Sequence, residues 1–199
     1  MRSLSAERIK KIDKSNMLDM LLDFPLQCRV SWDLAKTANI LFEKRDFSKV
    51  VFAGLGGSAI AGDLVRSYLY FESRVPIIVC REYELPAYVD SSTLVFISSY
   101  SGNTEETINA YNQAKEKGAY IIVISCGGTL REYTTLHKVT FIQIPPDLPP
   151  RCALGYLSII PLCILAKLGL IKDPGYSIGE MVGVLEDFRN RLLKPNIGM

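Results

Sequence analysis

Short runs dominated by valine, isoleucine and phenylalanine recur along the chain at Lys49–Gly54, Pro76–Cys80, Thr93–Ser98, Tyr120–Ser125 and Val139–Ile144. Such runs read as strands covered on both faces, as in a parallel sheet. Helical segments fill the gaps between them: Ser58–Phe71, Glu105–Lys117 and a short one at Leu130–Leu136. Tyr83–Asp90 is too short and too proline-interrupted for a crossover helix, and reads as a loop with a helical turn. Alternating strands and helices predict an α/β fold, a five-stranded parallel sheet wound on both sides. In the flavodoxin-like strand order 2-1-3-4-5, the first and third strands are neighbours at the switch point, where ligands bind.

Ahead of the sheet, Met17–Phe24 and Gln27–Phe42 read as two helices broken at Pro25. Behind it, Pro145-Pro146-Asp147-Leu148-Pro149-Pro150 is a stiff connector that cannot be helical in its interior. Two further helices follow, Ala153–Leu170 and Ser177–Leu193, parted by Lys172-Asp173-Pro174-Gly175. The apolar stretch Leu157–Leu170 reads as a buried helix near a domain seam, and Lys194–Met199 as the start of a linker.

At 199 residues there is room for one good core or two small ones. With 48% hydrophobic and 22% charged residues, the chain has neither a disorder signature nor an uninterrupted apolar run of about 18 residues. We therefore expect a soluble protein with no membrane partner. Met1–Ile12 is charged and lacks a signal-peptide core, which makes a cytoplasmic location the default. The cysteines at 28, 80, 126, 152 and 163 are odd in number and form no C-x-x-C pair, so reduced, buried thiols are expected. With the lone His137 they offer no zinc set, and no metal or other cofactor is expected. A net charge of +2 implies no nucleic-acid surface.

The chemistry concentrates where strands end. Ser99-Tyr100-Ser101-Gly102-Asn103-Thr104 follows the third strand and precedes a helix, so hydroxyls and unpaired helix amides converge there, as a phosphoester requires. Asn103 suits the N-cap, Glu106 completes a capping box and Gly118 stops the helix. The plainer alternative is that Ser101 and Thr104 only turn and cap. After the first strand, Gly56 and Gly57 let a ligand approach the backbone, and Ser58 adds a hydroxyl at a helix start. Gly54, Gly56 and Ala59 also satisfy G-x-G-x-x-A, the dinucleotide fingerprint, for which Glu82 would serve a ribose or Arg81 a 2′-phosphate. A dinucleotide has no need of the second hydroxyl-rich loop, and a compact sugar phosphate suits the two loops better. Ser125-Cys126-Gly127-Gly128-Thr129 either lines the same pocket or is a turn capped by Thr129. Arg151 is either a solvated helix-start arginine or a cation aimed at the pocket mouth.

Three of these segments together, Gly56-Gly57-Ser58, Ser99 to Thr104 and Pro149 to Tyr156, resemble the SIS (sugar isomerase) domain. More narrowly, the chain resembles the first half of the bifunctional phosphoglucose/phosphomannose isomerases, whose N-terminal helices also match Ile12–Asp19 and Phe24–Gln27. The resemblance implies N-terminal helices over 1–45, a phosphosugar-binding SIS domain over 46–150, and C-terminal helices with a linker over 151–199. It implies that Ser58, Ser99, Ser101 and Thr104 bind a hexose 6-phosphate beside Gly57, and that Arg151 stabilises the intermediate. The implied reaction is aldose–ketose isomerisation through a cis-enediol, which requires a general base near the substrate carbons.

The family's base glutamate, ring-opening histidine and lysine lie in a second SIS domain, beyond the point where this sequence stops. His137 does not match that histidine, and Asp63, Glu105 and Glu106 read as first-turn acids favoured by a helix dipole. The chain alone is therefore expected to bind but hardly to turn over. A homodimer is expected, with Leu157–Leu170 and Val182–Leu193 as seam candidates. The alternatives are a stand-alone phosphosugar-sensing module and a dinucleotide-binding domain.

Overall fold

The computed structural model describes residues 6–193, so the segment 194–199 read as a linker lies outside the described residues. Five parallel strands, β1 (Lys49–Ala53), β2 (Ile77–Cys80), β3 (Thr93–Ser98), β4 (Tyr120–Ser125) and β5 (Thr140–Gln143), form one sheet in the order β2-β1-β3-β4-β5. The two central strands are in register, Val51 opposite Val95 and Phe52 opposite Phe96, and the two phenylalanine rings stack with centroids 4.9 Å apart.

Helices α1 (Ala6–Ile12), α2 (Met17–Leu22) and α3 (Phe24–Thr37) precede the sheet, and α4 (Gly57–Tyr68) follows β1. Then come α5 (Glu105–Glu116) and α6 (Gly128–His137) beside β4, and α7 (Leu154–Lys167) and α8 (Gly175–Leu193) after a 3-10 turn at Pro150–Cys152. Strand alternation divides the core. Val50, Phe52, Leu94 and Phe96 join Val65 of α4, Cys28 of α3 and Leu157 of α7 on one face. Val51, Val95 and Ile97 join Ala110, Tyr111 and Ala114 of α5 on the other, together with Leu85 and Val89 from the loop after β2.

Helix α7 is buried without interruption from Gly155 to Leu165 because it lies against both α3 and α4. A helix apolar on every side needs such cover. Leu157–Leu165 is thus interior to this chain rather than left for a seam, while Lys167 and Gly169 beyond it are exposed. On α8, Val184, Phe188 and Leu192 remain exposed one turn apart, while Ile178 and Val182 are buried.

Other boundaries differ from the sequence reading for local reasons. Pro25 does not break a helix: it occupies the first turn of α3, where its missing N–H leaves no bond unmade. That helix ends at Thr37, short of Phe42, because Lys167 Nζ donates to the Lys36 and Ala38 carbonyls and takes up its last acceptors. The chain then runs extended along the sheet edge, where the Leu41 amide donates to Thr140 Oγ1. Tyr83–Asp90 contains bends and a turn but no helix.

Candidate functional site

Both glycine- and hydroxyl-rich loops leave the carboxyl ends of neighbouring strands, β1 and β3. Gly57 opens α4, and a side chain there would lie 3.3 Å from the Pro150 carbonyl oxygen and 3.6 Å from Arg151 Cα. The missing side chain lets the proline connector settle closely onto this helix start, where a Cβ would force it back by a few tenths of an ångström. Ser58, in the first turn of α4, is buried, with its Cβ over Gly54 at the end of the β1 run.

The β3 loop organises itself before any ligand arrives. Ser99 Oγ donates to Thr104 Oγ1 (3.0 Å) and accepts from the Gly102 amide (3.2 Å), and Ser101 Oγ accepts from the Asn103 amide (3.2 Å). These are the bonds of a turn, as the plainer reading expects. A hydroxyl has one proton and two acceptor positions, so the Ser101 and Thr104 protons are not consumed by these bonds. The first internal bond of α5 is that of the Thr107 amide to the Thr104 carbonyl, which leaves earlier amides pointing out of the helix start. Thr104, with extended backbone, is the N-cap residue, not Asn103, and no capping box forms.

Asn103 is used elsewhere. Its Oδ1 accepts from the Thr129 amide (2.9 Å) and the Thr129 hydroxyl (3.1 Å), so it caps the neighbouring α6, whose own N-cap is Gly127 and not Thr129. The β4 loop clasps the β3 loop along its length. The Cys126 amide and Ser125 hydroxyl donate to the Tyr100 carbonyl (3.0 and 3.2 Å), and the Leu130 amide donates to the Gly102 carbonyl (3.1 Å). Gly102, at φ +73°, is held so close that a Cβ would overlap the Gly127 carbonyl oxygen outright. The third loop thus buttresses the cradle from behind.

Tyr100 is a positioning residue that the sequence reading does not single out. Its hydroxyl donates to the Pro145 carbonyl (3.0 Å) and accepts from the Leu148 amide (2.7 Å), tying the cradle to the connector that carries Arg151. Burial pushes this phenol above its ordinary range. The signal in the sequence is an aromatic inside a small-residue loop, followed later by a proline run whose free amide needs an acceptor. Arg151 itself is exposed beside Gly57, with no ion pair among the described residues.

The remaining charged groups near the loops are engaged locally. Asp63 lies in the second turn of α4, not its first, and pairs with Arg81 and with Arg66. Arg81 is thereby occupied on a carboxylate, which weighs against its holding a nucleotide 2′-phosphate. Glu105 accepts from the Tyr83 hydroxyl and so turns toward the loop after β2; this bond raises the Tyr83 phenol above its usual range. His137 shares a hydrogen bond with Tyr111 Oη (3.0 Å) at the far end of α6. Among the described residues no group of His, Cys, Asp and Glu is placed to hold a metal. A cleft of about 360 Å³ beside Trp32, Lys36, Cys163 and Asp173 lies between α3 and α7, away from the β1 and β3 loops.

A doubly wound parallel sheet with two glycine- and hydroxyl-rich loops at its switch point defines an α/β domain of flavodoxin-like strand order. The chain belongs to the SIS-domain family, whose profile matches residues 43–140. It is 48% identical over 182 residues to the bifunctional phosphoglucose/phosphomannose isomerase of Caldicellulosiruptor bescii, a match covering 91% of this chain and 53% of that protein. The protein of the same name from Thermoplasma acidophilum is 40% identical over 157 residues, covering 78% of this chain and 47% of the relative. The chain spans about half the length of these curated relatives. Among solved structures, hypothetical protein TT0462 of Thermus thermophilus superposes with a TM-score of 0.65 at 21% identity, covering 96% of this chain and 48% of that one, a likeness of fold. No helix among the described residues is long and apolar enough to cross a membrane.

Proposed function

We propose that this chain supplies the phosphate-binding half of an aldose–ketose isomerase that interconverts glucose 6-phosphate or mannose 6-phosphate with fructose 6-phosphate. The supporting observation is the meeting of the Gly57-Ser58 helix start, the pre-ordered Ser99–Thr104 loop and Arg151 at one switch point. The phosphate sits on the Ser101 and Thr104 hydroxyls and the first amides of α5, with Ser58 and Ser99 completing the cradle. Arg151, the only one of these groups with a full positive charge, offsets the negative charge that grows as the substrate becomes an enediolate.

The base that moves the proton between C2 and C1 is supplied from outside these residues, since Glu105 and Asp63 are turned into local pairs. The relatives named for this activity are about twice as long, in keeping with a site completed by a second half. The whole enzyme is read as a cytoplasmic enzyme of carbohydrate metabolism, and the chain as a homodimer in solution. A clean monomer in sedimentation at micromolar concentration would count against the dimer.

Calorimetric titration of the chain with hexose 6-phosphates is the test. Binding is expected, weakened about tenfold by Ser101→Ala or Thr104→Ala, each of which removes one hydrogen bond to a charged group. NAD and NADP are expected to give no heat. Absence of hexose 6-phosphate binding, or indifference to both substitutions, would sink the assignment. Robust turnover abolished by Glu105→Gln or Glu106→Gln would overturn the view that the base comes from outside.

A further inference from the structure

Gln27 Oε1, Asp63 Oδ1 and Ser98 Oγ are buried without a hydrogen-bond partner among the described residues. Asp63 Oδ1 lies 3.0 Å from Arg66 in an ion pair, and Gln27 packs against Gly155 between α3 and α7. Ser98 is different, because it ends β3 at the switch point, one residue before the cradle.

Its direction follows from the pleat. Leu94 and Phe96 face the α4 and α7 side of the sheet, and Val95 and Ile97 face α5, so Ser98 continues the α4 side and Ser99 the α5 side. Beside it, one residue past the end of β1, stands Gly54. A Cβ there would meet the Ser98 carbonyl oxygen at 2.9 Å and Ser58 Cβ at 3.1 Å. The missing side chain lets the first turn of α4 descend onto the strand end, bringing Ser58 over the β1–β3 junction where Ser98 lies. Ser98 is 2% exposed. A hydroxyl buried so completely without a partner destabilises the empty protein, because its hydration is lost and nothing replaces it.

We propose that Ser98 is a further substrate-positioning residue, whose hydroxyl gains its partner only when a phosphosugar is bound, from a sugar hydroxyl directly or across one ordered water. Ser99 on the opposite pleat face serves the phosphate, and Ser98, on the side of Ser58 and the Arg151 turn, serves the carbon chain. This assignment rests on the phosphosugar reading of the site and adds to it a residue that recognises the sugar rather than the anion. The unpaired hydroxyl lowers unliganded stability in exchange for discrimination, a known trade-off at functional sites.

Ser98→Ala in the full chain separates these roles through two measurements, thermal unfolding without ligand and titration with fructose 6-phosphate and with inorganic phosphate. The expected result is a melting temperature equal to or above that of the unsubstituted chain. Fructose 6-phosphate should bind about three- to tenfold more weakly, roughly one hydrogen bond, and inorganic phosphate within about twofold of its original affinity. Ser98→Cys, close in size and a weaker donor, should fall between the two and covers the case of a poorly folded alanine variant. A lowered melting temperature with unchanged sugar affinity would make the hydroxyl structural and overturn the inference. Equal weakening toward sugar and phosphate would overturn it too, placing Ser98 in the anion cradle. If the unsubstituted chain takes up inorganic phosphate but no hexose 6-phosphate, the phosphosugar reading itself falls and this inference with it.

Discussion

Gly102→Ala tests whether the Ser99–Thr104 loop owes its shape to the clasp with the β4 loop. Two separate effects act at this position. The first is backbone strain: at φ +73° an L-residue costs about 1 kcal/mol relative to glycine. The second is overlap, since the new methyl would collide with the Gly127 oxygen and lie 2.7 Å from Ser125 Oγ. Backbone is on both sides of the worst contact, so relief requires the loops to part. Parting them breaks the bonds from the Cys126 amide and Ser125 hydroxyl to Tyr100, from the Leu130 amide to Gly102, and from the Thr129 amide to Asn103. At about 1 kcal/mol each these sum to about 4 kcal/mol, for a total near about 5, against a typical whole-domain stability of about 5–15 kcal/mol. Gly118→Ala is the control: it has φ +68°, but a Cβ there would meet only Ser91 Cβ, at an ordinary 3.7 Å, so it carries the strain alone. Urea unfolding of both variants should give about 1 kcal/mol for Gly118→Ala and several times that for Gly102→Ala, with phosphate binding lost only in the second. Equal costs would refute the clasp.

Tyr100→Phe removes two hydrogen bonds and strands the Leu148 amide, so unfolding free energy should fall by about 2 kcal/mol and hexose 6-phosphate affinity with it, as the Arg151 connector loosens; unchanged affinity would disconnect the connector from the site. The Asp90 carboxyl is held below its ordinary range by the Ser92 hydroxyl, then the Ser92 amide, then Lys49. Its stabilisation is present above the unfolded carboxylate pKa near about 4 and is lost as pH falls toward the lower folded value, so Asp90→Asn should flatten the acid limb of a pH–stability curve. Burial pushes the Cys28 thiol up to about 11 and the Cys163 thiol up to about 12. Neither should react with a thiol reagent at about pH 8 until the protein unfolds, whereas half-buried Cys126 should be modified first; early labelling of Cys163 by peptide mapping would contradict the packing of α7.

The sheet is legible because its strands have no polar alternation to misread. Thr93–Ser98 and Tyr120–Ser125 are bounded correctly to the residue, and the order with β1 beside β3 follows from where the rich loops lie. Helix ends are less legible because their causes are distant in sequence. The end of α3 at Thr37 depends on Lys167, whose Nζ reaches back 131 positions to the Lys36 carbonyl, and no local pattern near Phe42 contains that information. The cap of α5 is misplaced in the sequence reading for a related reason. Asn103 has the right chemistry for an N-cap, but the helix it caps is α6, and Thr104 is left to start its own. Local propensity identifies a capping residue and tertiary contact chooses its client.

The same contrast explains why the anion cradle can be read and its supports cannot. Ser99 to Thr104 is contiguous, so its hydroxyls, its glycine and the helix after it stand together in the sequence. The parts that hold it in shape are scattered: Gly127 behind it, Asn103 turned to α6, Tyr100 reaching to Pro145 and Leu148. Each satisfies a backbone group that the cradle's own geometry leaves unpaired, and a loop pinned at so many points loses little freedom when an anion docks. Pinning also divides the hydroxyls into classes. Those of Ser99 and Ser125 already donate within the loops, those of Ser101 and Thr104 only accept there and keep a proton, and that of Ser98 has no partner at all among the described residues. On the reading proposed above, a phosphate takes its hydroxyl protons from the second class. If Ser98 meets the sugar as proposed, discrimination among sugars falls to the third, because a group unsatisfied in the empty site gains a whole hydrogen bond from the right ligand and nothing from the wrong one.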